Sequence, residues 1–263
     1  MHSFFWGGFL HLEDSIAQII ERAPLLSGFF SITASENPTH CWSHGQGNQC
    51  PRCGQLGAPK VVSSLINTYN RGIARGFSAA VHAKSVDADA KRPQLIIWDW
   101  GWPGEWALAI IPRLSTEHTL LMSVSEWELE IERGGVKSQV GEYSISAVGP
   151  GPRAKRHWKI ARDHGLKTMA KIQANNTWEI SAVPYIPAVY NVAKHIEHLR
   201  AEGIEGMMLS WTLGGYPSPN LEVVSLMGSD GNLSADDAIR TVAHHRFGKA
   251  AGAVVNACQP AFQ

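Results

Sequence analysis

The amino-acid sequence predicts a parallel α/β fold, and three observations carry that prediction. Short apolar strands alternate with segments of helical periodicity, the pattern that builds a parallel sheet. Five of these strands stop abruptly on Trp, Glu or a polar residue: 28–35, 95–101, 119–126, 166–173 and 207–214. Eight of the ten Trp (42, 98, 100, 102, 106, 127, 178 and 211) fall in or just after the strand ends. Aromatic and acidic groups past the carboxyl ends of parallel strands sit where α/β barrels place their active sites.

The elements follow in order. The segment LEDSIAQIIERA (12–23) puts Ile16, Ile19 and Ile20 on one helical face and leads straight into the first strand. Residues 58–75 carry an apolar stripe of Val61, Val62, Leu65, Ile66, Tyr69 and Ile73. The run EWALAIIPRL (105–114) is a short helix. Residues 153–164 begin after Pro152 and end at Gly165, a natural C′ residue. Residues 187–202 run from Pro187 to Gly203, and a last helix starts at Ser234 with Asp237 three residues on, a capping-box variant. Strand starts at 28, 95, 119, 166 and 207 leave intervals of 67 and 47 residues, which imply long loops after the first and third strands. The Gly- and Pro-rich stretch 134–152 is expected to form a small hairpin or lid.

A closed (β/α)8 TIM-type barrel needs eight strands, and five are legible. The expectation is therefore an incomplete barrel covering strands 4–8, residues 1–263 forming a single catalytic-barrel fragment with a terminal helical segment at 234–263. The upstream half of the same barrel would be missing. A smaller open α/β sheet is the alternative.

Bulk composition narrows the partners. Lys plus Arg equals Asp plus Glu at 23 each, with no basic run, so a nucleic-acid partner is not expected. No apolar stretch approaches the roughly 20 residues of a membrane helix, so no membrane partner is expected. The opening MHSFFWGGFL lacks a cationic n-region and a small-residue cleavage site, and does not read as a signal peptide.

Three Glu end strands: Glu36, Glu126 and Glu179. Glycoside hydrolysis uses two carboxyl groups facing each other across the scissile bond. In the strands-4-to-8 numbering, Glu36 closes strand four and Glu179 lies just beyond strand seven, across the barrel mouth. Glu36 is the better general acid, because it follows an apolar strand directly and is flanked by Ser35 and Asn37, which can orient it and bind a sugar hydroxyl. Glu179 stands six residues past Gln173, so Asn175 or Asn176 can take the pocket position instead, with Glu126 as the replacement acid. Asp99 is the fourth acid, and alternation sets it on the face opposite Trp98 and Trp100. Each of these acids also has an ordinary reading as a capped or ion-paired surface residue.

Cys41, His44, Cys50 and Cys53 form C-x2-H-x5-C-x2-C in the zinc-knuckle-like loop 41–53. Three thiolates and an imidazole make a closed tetrahedral set, so a structural zinc is expected there. A disulfide with one spare thiol, or three free thiols, remain the alternatives. The histidines at 157, 164, 195, 198, 244 and 245 read as helix-surface residues.

Taken together, Ser35-Glu36-Asn37-Pro38 with the Cys-rich loop, Trp98-Asp99-Trp100-Gly101-Trp102, and LSWTLGGYPSPN (209–220) resemble the catalytic barrel of a glycoside hydrolase, most similar to the family 20-like group that includes the family 163 endo-β-N-acetylglucosaminidases. The likeness spans roughly residues 28–248 and rests on strand-end motifs. It implies that Glu36 matches the family acid, while Ser35 stands where the family has the Asp that assists the substrate acetamido group. Trp211 matches the Trp that walls the sugar subsite. The expected function is hydrolysis of a β-linked glycan by a Glu general acid/base, and the resemblance implies an N-acetylhexosamine in the substrate. Substrate contacts would come from Asn37, Asp99, Trp100, Trp127, Asn176, Trp178, Trp211 and Tyr216. A non-catalytic carbohydrate-binding barrel is the alternative; either way the partner is a carbohydrate and no organic cofactor is expected.

Overall fold

The computed structural model describes residues 4–35, 39–43, 45–176, 182–210 and 215–258. In chain order the elements are α1 (Phe4–Arg22), β1 (Gly28–Ile32), α2 (Cys53–Leu56), α3 (Ala58–His82), β2 (Gln94–Trp98), α4 (Gly104–Ile110), β3 (Thr119–Val124), β4 (Glu130–Arg133), β5 (Val136–Gln139), α5 (Pro152–Asp163), β6 (Lys167–Ile172), α6 (Val189–Ala201), β7 (Gly206–Leu209), α7 (Pro219–Ser229), α8 (Ala235–Phe247) and α9 (Ala251–Cys258). Five strands form one sheet in the order β1-β2-β3-β6-β7, and the pairings β1–β2, β2–β3 and β6–β7 are parallel. The five expected strands are thus neighbours in sequence order. An incomplete α/β barrel and an open α/β sheet share this arrangement. Among the described residues no helix is long and apolar enough to cross a membrane.

The chain divides into two compact units, residues 1–123 with 157–168 and residues 124–156 with 169–263. The core of the first unit gathers Val62, Ile66 and Ile73 from the α3 stripe, Leu95 and Ile97 from β2, Leu121 from β3, and Trp102. Trp102 also donates from Nε1 to Thr33 Oγ1 at 2.9 Å, so this strand-end Trp is a core residue and not a ligand wall. Close packing of α1 on α3 rests on two glycines the periodicity did not single out. A Cβ at Gly72 would lie 2.8 Å from Glu13 O, and one at Gly76 only 2.4 Å from Ala17 O. Arg71 and Arg75 flank the contact with ion pairs to Glu13 and Asp14.

In the second unit, Gly134 and Gly135 take positive φ of 57° and 78° and turn the antiparallel hairpin β4–β5. That two-residue turn matches the twist of the flanking strands. The hairpin is centred earlier than expected, because ELEIER (128–133) supplies its first strand. Ser218 caps α7 by accepting from Leu221 N at 3.2 Å ahead of Pro219. Ser234 caps α8 through Asp237 N at 3.1 Å, as the capping-box variant predicts. The expected stops at Gly165 and Gly203 adopt positive φ of 88° and 69°.

The α1–α3 contact gives a direct test. Gly76→Ala inserts a methyl group against the Ala17 backbone and should destabilise by about 1–3 kcal/mol, the usual range for overpacking. A Cβ at Gly228 in α7 meets nothing within 4 Å. Urea unfolding should therefore show a lowered midpoint for Gly76→Ala and no loss for Gly228→Ala.

Candidate active site

Charged chemistry in the second unit collects where β3 and β6 end. Ser125 N–H donates to Lys171 O at 2.9 Å, and this bond sets Glu126 beside Lys171. Both side chains are fully buried. Burial raises the Glu126 pKa from the ordinary carboxylate range to about 8, against the opposing pull of the Gln173 N–H and the Lys171 charge. Gln173 N–H donates to Glu126 Oε1 at 3.3 Å. Burial likewise lowers the Lys171 pKa to about 8, with Glu126 and Glu142 pulling it back up. The Lys171 Nζ lies 4.6 Å from the centre of the Tyr143 ring. A carboxyl group held protonated near neutral pH beside a depressed ammonium is the environment from which acid catalysis is built.

His195 on α6 stands behind Glu126. Its Nε2 is 2.7 Å from Ser125 Oγ, and its Nδ1 is 3.7 Å from Glu126 Oε1. Burial lowers its pKa to about 3, so the ring is neutral. Ser, His and Glu in this sequence of contacts resemble a nucleophile–base–acid relay, yet Gly149 closes it. A Cβ at Gly149 would fall 2.6 Å from His195 Nε2 and 3.0 Å from Ser125 Oγ. Gly149 packs against both groups, and the Ser125–His195 contact holds the turn that carries Glu126.

The β6 end is fixed by a closed set of hydrogen bonds. Ser210, at φ 58°, accepts at Oγ from Ala174 N and Asn175 N at 3.2 and 3.1 Å. Asn175 Nδ2 donates to Tyr216 O at 2.8 Å, and Asn175 Oδ1 accepts from Ser218 Oγ. Asn220 Nδ2 donates to Ala174 O and Ile186 O at 2.9 and 2.7 Å. Asn175 is therefore occupied in holding the loop, whereas Asn176 is buried with its Nδ2 unpartnered among the described residues. Glu126 Oε2 and Gln173 Oε1 are buried and unpartnered in the same sense. Glu126, Gln173 and Asn176 thus keep hydrogen-bonding capacity past the ends of β3 and β6 that the described residues do not use.

The remaining candidates divide. Asp99, in the first unit, is fully buried and its Oδ2 accepts from Ser123 Oγ and His157 Nδ1, each at 2.6 Å. That carboxylate ties β2, β3 and α5 together. Trp100 stacks on Trp98 with ring centres 5.6 Å apart, as two residues on one strand face should. Half-buried Trp127 carries Arg153 over its ring at 4.1 Å, and the Tyr216 side chain is 55 % exposed. Glu36, Asn37, His44, Trp178, Glu179 and Trp211 lie outside the described residues. The surface reading of His157 and His195 is corrected: both are buried, because their helix faces pack inward. Lys171 was not singled out either; its only signal was a Lys at an alternate position in a strand otherwise apolar.

The cysteine loop belongs to the first unit. Cys41, Cys50 and Cys53 are free thiols whose sulfurs all lie within 4.8 Å of one another, so they can hold a metal ion together. A tetrahedral ion with bonds of about 2.3 Å needs sulfurs about 3.8 Å apart, which this cluster reaches with small side-chain adjustments. The Cys53 and Arg52 backbone N–H groups lower the Cys50 pKa to about 7. Burial pushes the Cys53 thiol up to about 12. Gly47 lets the Trp42 indole lie on the loop backbone, where a Cβ would come within 2.1 Å of the ring, and Trp42 Nε1 donates to Cys53 O at 3.0 Å.

Comparison with protein-family models, with curated proteins and with solved structures finds no match to this chain.

Glu126 should leave a signature in stability. Its folded pKa lies above the unfolded value of 4.5, so its contribution is complete below pH 4.5 and is lost as pH rises to about 8. At about 1.4 kcal/mol for each pKa unit, the loss amounts to several kcal/mol. Lys171 shifts the other way and acts above its folded value of about 8, outside this window. Denaturant unfolding between pH 4.5 and 8 should show falling stability in the wild type and a markedly flatter profile in Glu126→Gln.

Proposed function

We propose that this chain is a glycoside hydrolase in which Glu126 is the proton donor, and that its sheet is the strand 4–8 portion of a (β/α)8 barrel. One observation supports this above the others. Glu126 ends a buried strand with its carboxyl raised to about pKa 8 and its Oε2 unpartnered among the described residues. An acid in that state keeps its proton at neutral pH and can give it to a leaving-group oxygen. Glu36 and Glu179 are the strand-end acids from which the second carboxylate comes, since Asp99 is engaged with Ser123 and His157. The half-buried Trp127 beside Glu126 carries Arg153 over one ring face, so a sugar would stack on the other. A substrate with an N-acetylhexosamine at the cleaved bond is the first to try.

Activity separates the roles. Release of reducing ends from β-linked glycans should fall about 10²–10⁴-fold in Glu126→Gln, the usual contribution of a positioned acid. Aryl glycosides, whose leaving groups need little protonation, should be affected much less. Equal loss on both substrate types would remove Glu126 from the donor role. Saturable glycan binding without turnover in the wild type would mark a carbohydrate-binding module instead.

We also propose that the cysteine loop holds a structural zinc, with Cys41, Cys50, Cys53 and His44 as ligands. The close approach of the three sulfurs supports it. Purified protein should contain about one zinc per chain, and Cys53→Ser should lose most of it and unfold at lower temperature. Zinc-free wild-type protein, or unchanged zinc in the variant, overturns the assignment.

A further inference from the structure

Hydrolysis as proposed leaves Lys171 without a part. Its placement is unusual for a structural lysine. An ammonium carries three N–H donors and, when buried, normally meets several acceptors. Among the described residues the Lys171 Nζ has a single hydrogen bond, to Ile172 O at a long 3.4 Å, and the face of Tyr143 for a neighbour. It sits in β6 two residues before Gln173, which follows the strand and whose Oε1 is unpartnered among the described residues, and beside Glu126, whose Oε2 is unpartnered in the same way. One long hydrogen bond leaves the buried group poorly solvated. Although the Tyr143 face and the Glu126 and Glu142 carboxyls draw it back toward the ammonium, burial shifts it toward the free amine. An amine next to a protonated carboxyl holds both components that imine formation requires.

We propose that Lys171 is a carbonyl-capturing amine, condensing with a small aldehyde or ketone to an iminium while Glu126 supplies the proton that releases water. The Nζ lone pair forms the C–N bond, and the carbonyl π pair moves to oxygen, which takes the proton released from nitrogen. The resulting hydroxyl leaves as water with the Glu126 proton as the nitrogen lone pair closes the C=N bond. Glu126 is left as a carboxylate facing the positive iminium, and the reverse addition of water returns its proton and frees the amine. No oxidant or reductant is consumed. Lys171 and Glu126 have folded pKa values that both lie at about 8, so at pH 7 most of Glu126 keeps its proton while about a tenth of Lys171 is free amine. This activity does not depend on glycosidic hydrolysis, which uses the acid without the amine.

Reductive trapping tests it. Intact protein at pH 7 is incubated with D-glyceraldehyde or pyruvate and sodium cyanoborohydride, which reduces only the iminium, and the labelled peptides are mapped by mass spectrometry. An amine of pKa about 8 has several hundred-fold more free base at pH 7 than one near 10.5, so Lys171 should be labelled at least tenfold faster than the surface lysines. Glu126→Gln keeps the lysine and should slow its labelling at least tenfold, with circular dichroism showing an unchanged fold. Label spread over surface lysines, or none at Lys171 in the wild type, overturns the proposal without reference to any variant. Labelling at Lys171 that is as fast in Glu126→Gln as in the wild type overturns the part given to Glu126. Glycan hydrolysis is measured on the same preparations, so loss of one reading leaves the other standing.

Discussion

In a parallel strand buried on both faces, alternation assigns every residue to one set of neighbours and denies it the other. All six residues of β3 are buried, and the strand shows how much follows from this constraint. Leu121 enters the apolar core of the first unit, and Ser123, two residues on, meets the Asp99 carboxylate. Ser125 continues the series and meets His195 in the second unit. Glu126 is the first residue turned the other way past the strand end, and Lys171 is its neighbour from β6. A one-residue slip in register would exchange these environments, placing a carboxyl in an apolar core and a leucine among polar groups.

Withdrawing Glu126 and Lys171 from water makes ionisation unfavourable for both. Keeping two full charges in so dry a place would carry a desolvation penalty that their mutual attraction does not fully offset. Burial pushes each group toward its neutral form, the acid keeping its proton and the lysine giving its proton up more readily than at the surface. Such a pair costs the fold stability as pH rises and the acid is made to ionise. Its value is chemical, since the two groups can exchange a proton with a third party at small energetic expense. The surrounding bonds keep it in place: Gln173 N–H holds one Glu126 oxygen, and Ser210 anchors the residues that follow Gln173.

Much of the fold was legible in the sequence, because apolar strands bounded by Gly and Pro leave few alternative readings. The five strands, the cap at Ser234 and the stops at Gly165 and Gly203 all came from local signals. The helix α7 was overlooked although Ser218 and Pro219 announce its start; its core, NLEVVSLM, has too few polar residues to show a clear amphipathic period. At the candidate site, Glu126 was visible as a strand-end acid, while Lys171 and His195 were not. A Lys inside a strand reads as a solvent-facing alternate, and a His on a helix reads as surface. Burial is a tertiary property, decided here by the packing of β6 and α6 and not by any local pattern. The glycines at 72 and 76 were hidden for the same reason, since their importance lies in Glu13 and Ala17 of another helix.

The cysteine loop has a further property that follows from its neighbour. The Trp42 indole is hydrogen-bonded to the carbonyl of Cys53 and stands edge-on to Trp106, with ring centres 5.8 Å apart. Whatever the three sulfurs hold, the backbone at Cys53 must move with it, and the indole is coupled to that backbone directly. The emission of this tryptophan pair is thus a built-in optical gauge of the loop. Metal arrival, metal loss or thiol oxidation should register as a change in emission over the background of the other eight tryptophans, at a site well separated in sequence from the strand-end acid and amine.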